Sequence, residues 1–213
     1  MKIIEVKTLG LSEVKVVKFE RFLDDRGYFT EPFRRSDFDN NVDTGFLKNV
    51  QFLQCNESFS KKNVMRGLHF QWNPFMGKLV RLVYGRMFDF ALDIRKNSPN
   101  FGKIVGYELK SSSDQNYGEW IWVPVGFAHG VCFLEDSLIE YFCSSEYSPG
   151  CEASISPISG DIDWSLCDIG VKSTFDKMSK NIILSEKDRQ GLSLTAWGSD
   201  NRSNYFVCGK VLF

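Results

Sequence analysis

Imidazole is the scarcest chemistry in this chain, which has only two histidines, His69 and His129, among 213 residues. A divalent transition metal that prefers nitrogen ligands usually draws on several histidines, often as His-x-His, so no metal and no metal-dependent mechanism is expected. An excess of charge of either sign is also lacking. Lys plus Arg number 26 and Asp plus Glu 27, giving a net charge of -1 and a pI near 6.2. That balance leaves no broad footprint for nucleic acid or an anionic membrane. No apolar run approaches the roughly 20 residues of a membrane helix. Met1 to Lys7 mixes Ile and Val with Lys and Glu and does not open a secretory signal. A soluble cytoplasmic protein is therefore expected, with neither membrane nor nucleic acid as partner. The six cysteines (Cys55, Cys132, Cys143, Cys151, Cys167 and Cys208) contain no Cys-x-x-Cys pair and mostly sit in apolar runs, so they read as buried reduced thiols. No P-loop, Gly-x-Gly-x-x-Gly or Gly-x-Ser-x-Gly occurs, which removes the usual signatures of phosphoryl transfer, dinucleotide binding and an α/β-hydrolase.

What is abundant is apolar bulk: 43% of residues are hydrophobic and 19 are Phe, too many for a disordered chain. Short β-branched or aromatic runs bounded by turn residues recur at 14–19, 49–54, 78–84, 87–94, 104–109, 120–123 and 138–143, which predicts an all-β sandwich or barrel. Tyr84-Gly85-Arg86 reads as a tight hairpin between two of these strands. Helical periodicity is weak, with short helices expected at Arg35–Asn40 and from an N-cap at Ser185 to Gln190. The stretch 165–180 reads as irregular surface chain. Residues 191–213 turn apolar again at Tyr205-Phe206-Val207-Cys208, as an edge strand, a subunit contact or a tail packed on its own domain would.

Several polar residues sit where strands should be. In a regular strand over Arg66-Gly67-Leu68-His69-Phe70-Gln71, His69 and Gln71 share one face and Arg66 lies on the other. An imidazole there is either a core histidine satisfied by backbone oxygens or a working group, and Arg66 beside it suits phosphate or carboxylate. Gln54 and Asn56 share a face as well, as amides that read a ligand or bridge the core. Asp24-Asp25-Arg26-Gly27 is by itself a solvated turn, and Tyr141 by itself a core tyrosine. Lys78, Asp89 and Asp93 on neighbouring predicted strands would form ion pairs if they face solvent.

Seven segments taken together resemble one family. Asp24-Asp25-Arg26-Gly27-Tyr28-Phe29-Thr30-Glu31, Gln54-Cys55-Asn56-Glu57-Ser58, Arg66-Gly67-Leu68-His69-Phe70-Gln71, Lys78-Leu79-Val80-Arg81, Pro124-Val125-Gly126-Phe127-Ala128-His129-Gly130, Tyr147-Ser148-Pro149-Gly150-Cys151-Glu152 and Leu184-Ser185-Glu186-Lys187-Asp188 stand in the order found in the dTDP-4-dehydrorhamnose 3,5-epimerases. The resemblance runs from about Val14 to Gln190. It implies a cupin-type jelly-roll barrel with short peripheral helices over residues 1–190, with 191–213 as an extension on the same domain or on a dimer partner. It also implies a homodimer that uses no cofactor and epimerises a nucleotide-diphosphate 4-keto-6-deoxy sugar at C3 and C5. Carried over residue by residue, His69 is the base, Asp188 its orienting carboxylate, Tyr141 the acid and Lys78 a lysine at the sugar. Arg26, Glu31, Gln54, Asn56, Arg66, Gln71, His129, Tyr147 and Glu152 become the substrate contacts. An epimerase of one centre acting on a GDP- or CDP-linked sugar, and a non-catalytic sugar-nucleotide binder, are the alternatives.

The chemistry suits these residue types. Hydrogens at C3 and C5 flank the C4 carbonyl, so loss of either gives an enolate with its charge on the C4 oxygen. An imidazole, with an unperturbed pKa of about 6.5, is a base of suitable strength near neutrality. A lysine placed at the enolate oxygen stabilises the transition state, and a phenol can return a proton from the opposite face.

Overall fold

The computed structural model describes residues 1–209. Twelve strands carry it: β1 (Ile3–Thr8), β2 (Lys15–Glu20), β3 (Phe22–Asp24), β4 (Gly27–Phe29), β5 (Gln54–Ser60), β6 (Met65–Gln71), β7 (Lys78–Asp93), β8 (Ile104–Ser111), β9 (Tyr117–Val123), β10 (Phe127–Phe133), β11 (Ser137–Cys143) and β12 (Glu152–Ser154). All pairings between them are antiparallel, and β3 with β4 forms a separate hairpin. The others form two walls of a barrel, in the orders β1-β2-β9-β7-β11-β5 and β8-β7-β10-β6-β12. The jelly-roll class expected from the sequence is the one observed.

Alternation along the strands sorts side chains into three cores. Val16, Val80, Leu82, Met87, Ala91, Ile121, Val123, Val131 and Ile139 fill the barrel interior. Val17, Phe19, Leu79, Trp120 and Trp122 leave the outer face of the first wall, where they meet Phe38 and Leu47. Those two come from α1 (Arg35–Asn40) and the 3₁₀ turn Val42–Leu47. The outer face of the second wall, with Leu68, Phe70, Phe88 and Phe90, is covered by later parts of the chain. Both faces of the central strands are therefore dry, which is why the second half of β9 reads Trp-Ile-Trp-Val without a polar side.

Several sequence expectations change or narrow. The hairpin at Tyr84-Gly85-Arg86 does not form, because β7 runs unbroken for 16 residues and passes from one wall to the other at Gly85. Gly85 has φ +104, and a Cβ there would lie 2.3 Å from Ser137 Oγ and 2.7 Å from the Asp136 carbonyl. The register against β11 skips one residue beside it, so even-numbered Val80 and Leu82 and odd-numbered Met87 and Ala91 all face inward. The strand expected at 49–54 begins only at Gln54. The irregular stretch at 165–180 contains α2 (Ile169–Ser179), capped by Asp168 on the amides of Gly170 and Val171. Its Gly, Ser, Thr and Val content is poor for a helix, and burial of Val171 and Phe175, one turn apart, supplies what propensity does not. The tail makes no edge strand among the described residues. Beyond α3 (Glu186–Arg189) it folds as α4 (Leu194–Ser199) and a 3₁₀ turn, and Trp197 and Phe206 pack on Phe70 of this chain. The last four residues of the 191–213 extension lie outside the described residues. All six cysteines are free, but only Cys132 and Cys143 are fully buried and Cys55 is exposed.

The crossing at Gly85 makes a prediction. Gly85→Val should destabilise the protein by roughly 2 kcal/mol or more, since strain at such a backbone position alone costs about 1–3 kcal/mol. A fall in the urea midpoint with unchanged slope checks it.

Candidate active site

The barrel interior is apolar at one end and polar at the other. The polar end opens into two adjoining chambers of about 470 and 450 Å³ that share Ser58, His69, Lys78 and Tyr141 in their linings.

His69 stands in the middle of β6, opposite His129 of β10 and Ser154 of β12. The strand is not regular there, which corrects the simple alternation. Between the pairs His129–His69 and Val131–Arg66, β6 advances three residues while β10 advances two. The extra residue is accommodated at Gly67, with φ +113, where a Cβ would come within 2.6 Å of the Gly130 Cα and the His129 carbonyl oxygen. As a result Arg66 and His69 face the same chamber.

The His69 Nε2 atom lies 2.5 Å from Asp188 Oδ1. The segment before α3 is tied to the start of β6 by the backbone bonds Met65 N–H to Ile183 and Ile183 N–H to Asn63. Ser185 Oγ then caps the helix by accepting from the Asp188 amide at 3.1 Å. Asp188 is buried, and burial alone would raise its pKa. Hydrogen bonds from His69, Ser185 and the Gly67 amide outweigh that and hold the carboxyl below its ordinary range. With Nε2 engaged, Nδ1 is the nitrogen of His69 left for chemistry.

Tyr141 comes from the opposite wall, on β11, across from Asn56 of β5 and Val80 of β7. Burial pushes its phenol pKa up, against the opposing influence of Asn56 and Arg66, so the hydroxyl keeps its proton near neutrality. Lys78 opens β7, opposite Cys143 of β11. Burial pushes its amine pKa down, partly offset by Cys143, Asp89 and Glu152.

The second chamber is lined by hydrogen-bonding side chains. The Tyr147 amide donates to Gln54 Oε1 at 2.8 Å, and Gln54 Nε2 donates to Asn56 Oδ1 at 2.9 Å. Gln71 is committed to the protein itself: its Nε2 donates to the carbonyls of Pro74 and Glu146, and its Oε1 accepts from the Ser148 amide. It thereby fixes the loop that presents Tyr147. At the rim Glu152 accepts from the Tyr147 hydroxyl at 2.9 Å and pairs with Lys187. Burial would raise the Glu152 pKa, but those two bonds draw it below the usual range.

Of the residues picked out from the sequence, eleven gather around these chambers: His69, Asp188, Tyr141, Lys78, Gln54, Asn56, Arg66, Gln71, His129, Tyr147 and Glu152. Arg26 and Glu31 do not. Arg26 is 90% exposed at the tip of the β3–β4 hairpin, clasped to Asp24, and Glu31 pairs with the Met1 amine and Arg34. Two further residues of the site carry no sequence signal that points to it. Lys187 was legible only as the neighbour of Asp188. Asp89, which bonds His129 from beneath, reads in the sequence as a surface ion-pair partner. Among the described residues no group of three or more His, Cys, Asp or Glu is arranged to hold a metal ion.

The chain resembles known proteins in both sequence and fold. A family model described as dTDP-4-dehydrorhamnose 3,5-epimerase matches residues 8–196. A dTDP-4-dehydrorhamnose 3,5-epimerase of Methanothermobacter thermautotrophicus is 40% identical over 185 residues, covering 86% of this chain and 90% of the relative. One from Shigella flexneri is 38% identical, with 85% and 91% covered. The crystal structure of a dTDP-6-deoxy-D-glucose-3,5-epimerase from Legionella pneumophila, in complex with dTDP-4-keto-L-rhamnose, superposes with a TM-score of 0.77 at 30% identity. That match covers 97% of this chain and 99% of the other.

The depressed pKa of Asp188 sets the sign of a pH effect. Its carboxylate is favoured in the folded state, so its stabilisation is complete above the unfolded carboxylate pKa and is lost as pH falls through the folded value. The stability gap between the wild-type protein and Asp188→Asn should be full at neutral pH, roughly 1–3 kcal/mol, and narrow below about pH 4. Urea unfolding across that range checks it.

Proposed function

This chain belongs to the dTDP-4-dehydrorhamnose 3,5-epimerase family, and we propose that it converts dTDP-4-dehydro-6-deoxy-D-glucose to dTDP-4-dehydro-L-rhamnose by inverting C3 and C5. The observation that carries this reading is the pairing of His69 with Asp188 on one wall of the cavity and Tyr141 on the other, with Lys78 lining the same space. Base and acid on opposite walls suit a reaction that takes a proton from one face of a carbon and returns one to the other.

In this mechanism Nδ1 of His69 removes the hydrogen from C3 or C5, and the carbon–hydrogen electron pair moves onto the C4 oxygen. Asp188 stabilises the imidazolium that results. The Lys78 ammonium faces the enolate oxygen, where a fixed charge favours the transition state more than the ketone. Tyr141 then protonates the carbon from the other side, the electron pair returns, and the C4 carbonyl is restored. The imidazolium releases its proton and the phenolate regains one, so each inversion exchanges one carbon-bound hydrogen with solvent. Arg66 and Lys187 supply positive charge for the diphosphate, and the amides of Gln54 and Asn56 with the exposed ring of Tyr147 take the nucleoside.

We place the enzyme in the cytoplasm, a reading supported by its six free thiols. We also take it to be a homodimer. The β3–β4 hairpin carries Phe22, Leu23, Tyr28 and Phe29 exposed to solvent, and Phe29 is 71% accessible. A second copy covering this hairpin would bury those side chains and offer Arg26 and Glu31 a pocket to enter. Light scattering should give twice the chain mass, and Phe29→Asp should reduce it toward one.

The chemical test is incubation in D₂O with dTDP-4-dehydro-6-deoxy-D-glucose, with GDP- and CDP-linked sugars as comparisons. Deuterium should enter C3 and C5 of the dTDP sugar by NMR. His69→Ala should cut exchange by about 10²- to 10⁴-fold. Full exchange in that variant would remove His69 as the base. Tyr141→Phe should keep part of the exchange while blocking net inversion, and normal turnover would return Tyr141 to a packing role.

A further inference from the structure

Beneath the cavity lies a second carboxylate–imidazole pair for which the mechanism has no step. Asp89 is 1% exposed, and its Oδ2 is 2.9 Å from His129 Nε2. The other oxygen, Oδ1, is buried and has no hydrogen-bond partner. A carboxylate oxygen removed from water and left unpaired is costly unless a positive charge lies near it.

The fold brings a cation to the chamber above it. Lys78 and Asp89 belong to the same strand, and the reversal of alternation at Gly85 turns both into the barrel interior although one number is even and the other odd. Lys78 lines the same chamber as His129, the residue that Asp89 holds. The titratable groups around Lys78 are Asp89 from its own strand, Cys143 and Tyr141 from β11, Glu152 from β12, Glu57 from β5, His69 and Arg66 from β6, His129 from β10, Asp188 and Lys187 from α3, and Tyr147. Of the other carboxylates among them, Glu152 is committed to Tyr147 and Lys187, Asp188 to His69, and Glu57 is exposed to solvent.

We infer that Asp89 is a positioning residue, its carboxylate orienting the His129 imidazole through one oxygen and serving through the other as the buried counter-charge of the Lys78 ammonium. The role assigned to Lys78 at the enolate oxygen rests on the epimerase reading, whereas the charge pairing does not. The site thus keeps a cation in the chamber wall before substrate arrives.

The test titrates Lys78 in the intact protein without substrate, following its acetylation by acetic anhydride with mass spectrometry up to about pH 11. In Asp89→Asn the midpoint should fall by about one to three pH units. An unchanged midpoint overturns the proposal whatever the activity. In turnover the ammonium is the working form, so Asp89→Asn should lose kcat at lower pH than wild type on the alkaline side, with KM held within about threefold. A normal Lys78 shift in a protein that exchanges no deuterium would sink the epimerase reading and leave the pairing standing. If Asp89→Asn does not fold, Lys78→Met is compared with Lys78→Met/Asp89→Asn. The double variant should be the more stable, because it no longer buries an uncompensated carboxylate. A less stable double variant overturns the pairing.

Discussion

One strand serves both walls of the barrel. The first four residues of β7 pair with β9, residues up to Tyr84 pair with β11, and its later half pairs with β8 and β10. A strand can do this only if it bends and exchanges the faces its side chains occupy, and Gly85 is where it does so. The interior core, the position of Lys78 at the mouth and the position of Asp89 below it all follow from that crossing. The bulge at Gly67 does the same service on a smaller scale, turning Arg66 onto the face of His69. Two glycines thus set which charged groups look inward.

A cavity of this kind has to reconcile dry walls with polar contents. The interior beneath it is Val, Leu, Ile, Met and Phe, and its low polarisability strengthens every interaction among the polar groups above. The same property makes an unmatched group expensive. Asp188 meets this with three donors, Gln71 with three backbone partners and Glu152 with a hydroxyl and an ammonium. The result is a set of side chains whose orientations are fixed before any ligand binds, which is the condition for electrostatic catalysis without reorganisation.

Much of this was legible in the sequence, and the failures have physical causes. Runs such as Trp120–Val123 and Leu138–Cys143 announce strands because β-branched and aromatic residues suit a pleated surface. The short helix at Asp188 was legible from its Ser185 cap. Gly85 misled because a glycine between two apolar runs looks the same whether the chain turns back or crosses between sheets. The helix α2 was hidden because its two buried residues gain their stability from the barrel wall and not from local preference. Asp89 was missed for a related reason: whether a charged residue on a strand faces water depends on the parity of the strand, and the parity was reversed by a residue taken for a turn. The assembly of eleven candidate residues in one place rested on order and resemblance, since no local pattern brings Asp188 to His69.

That last contact spans 119 residues. His69 belongs to the sixth strand, while its partner lies beyond the twelfth, on a short helix tied to Asn63 and Met65 by two backbone bonds. Every described strand is therefore made before the carboxylate that completes the pair. On a ribosome, a chain released only as far as Ser154 would hold every described strand and the imidazole, yet the imidazole would face an empty shelf. Synthesis order thus delivers the imidazole early and its carboxylate late, together with the segments that cover the second wall.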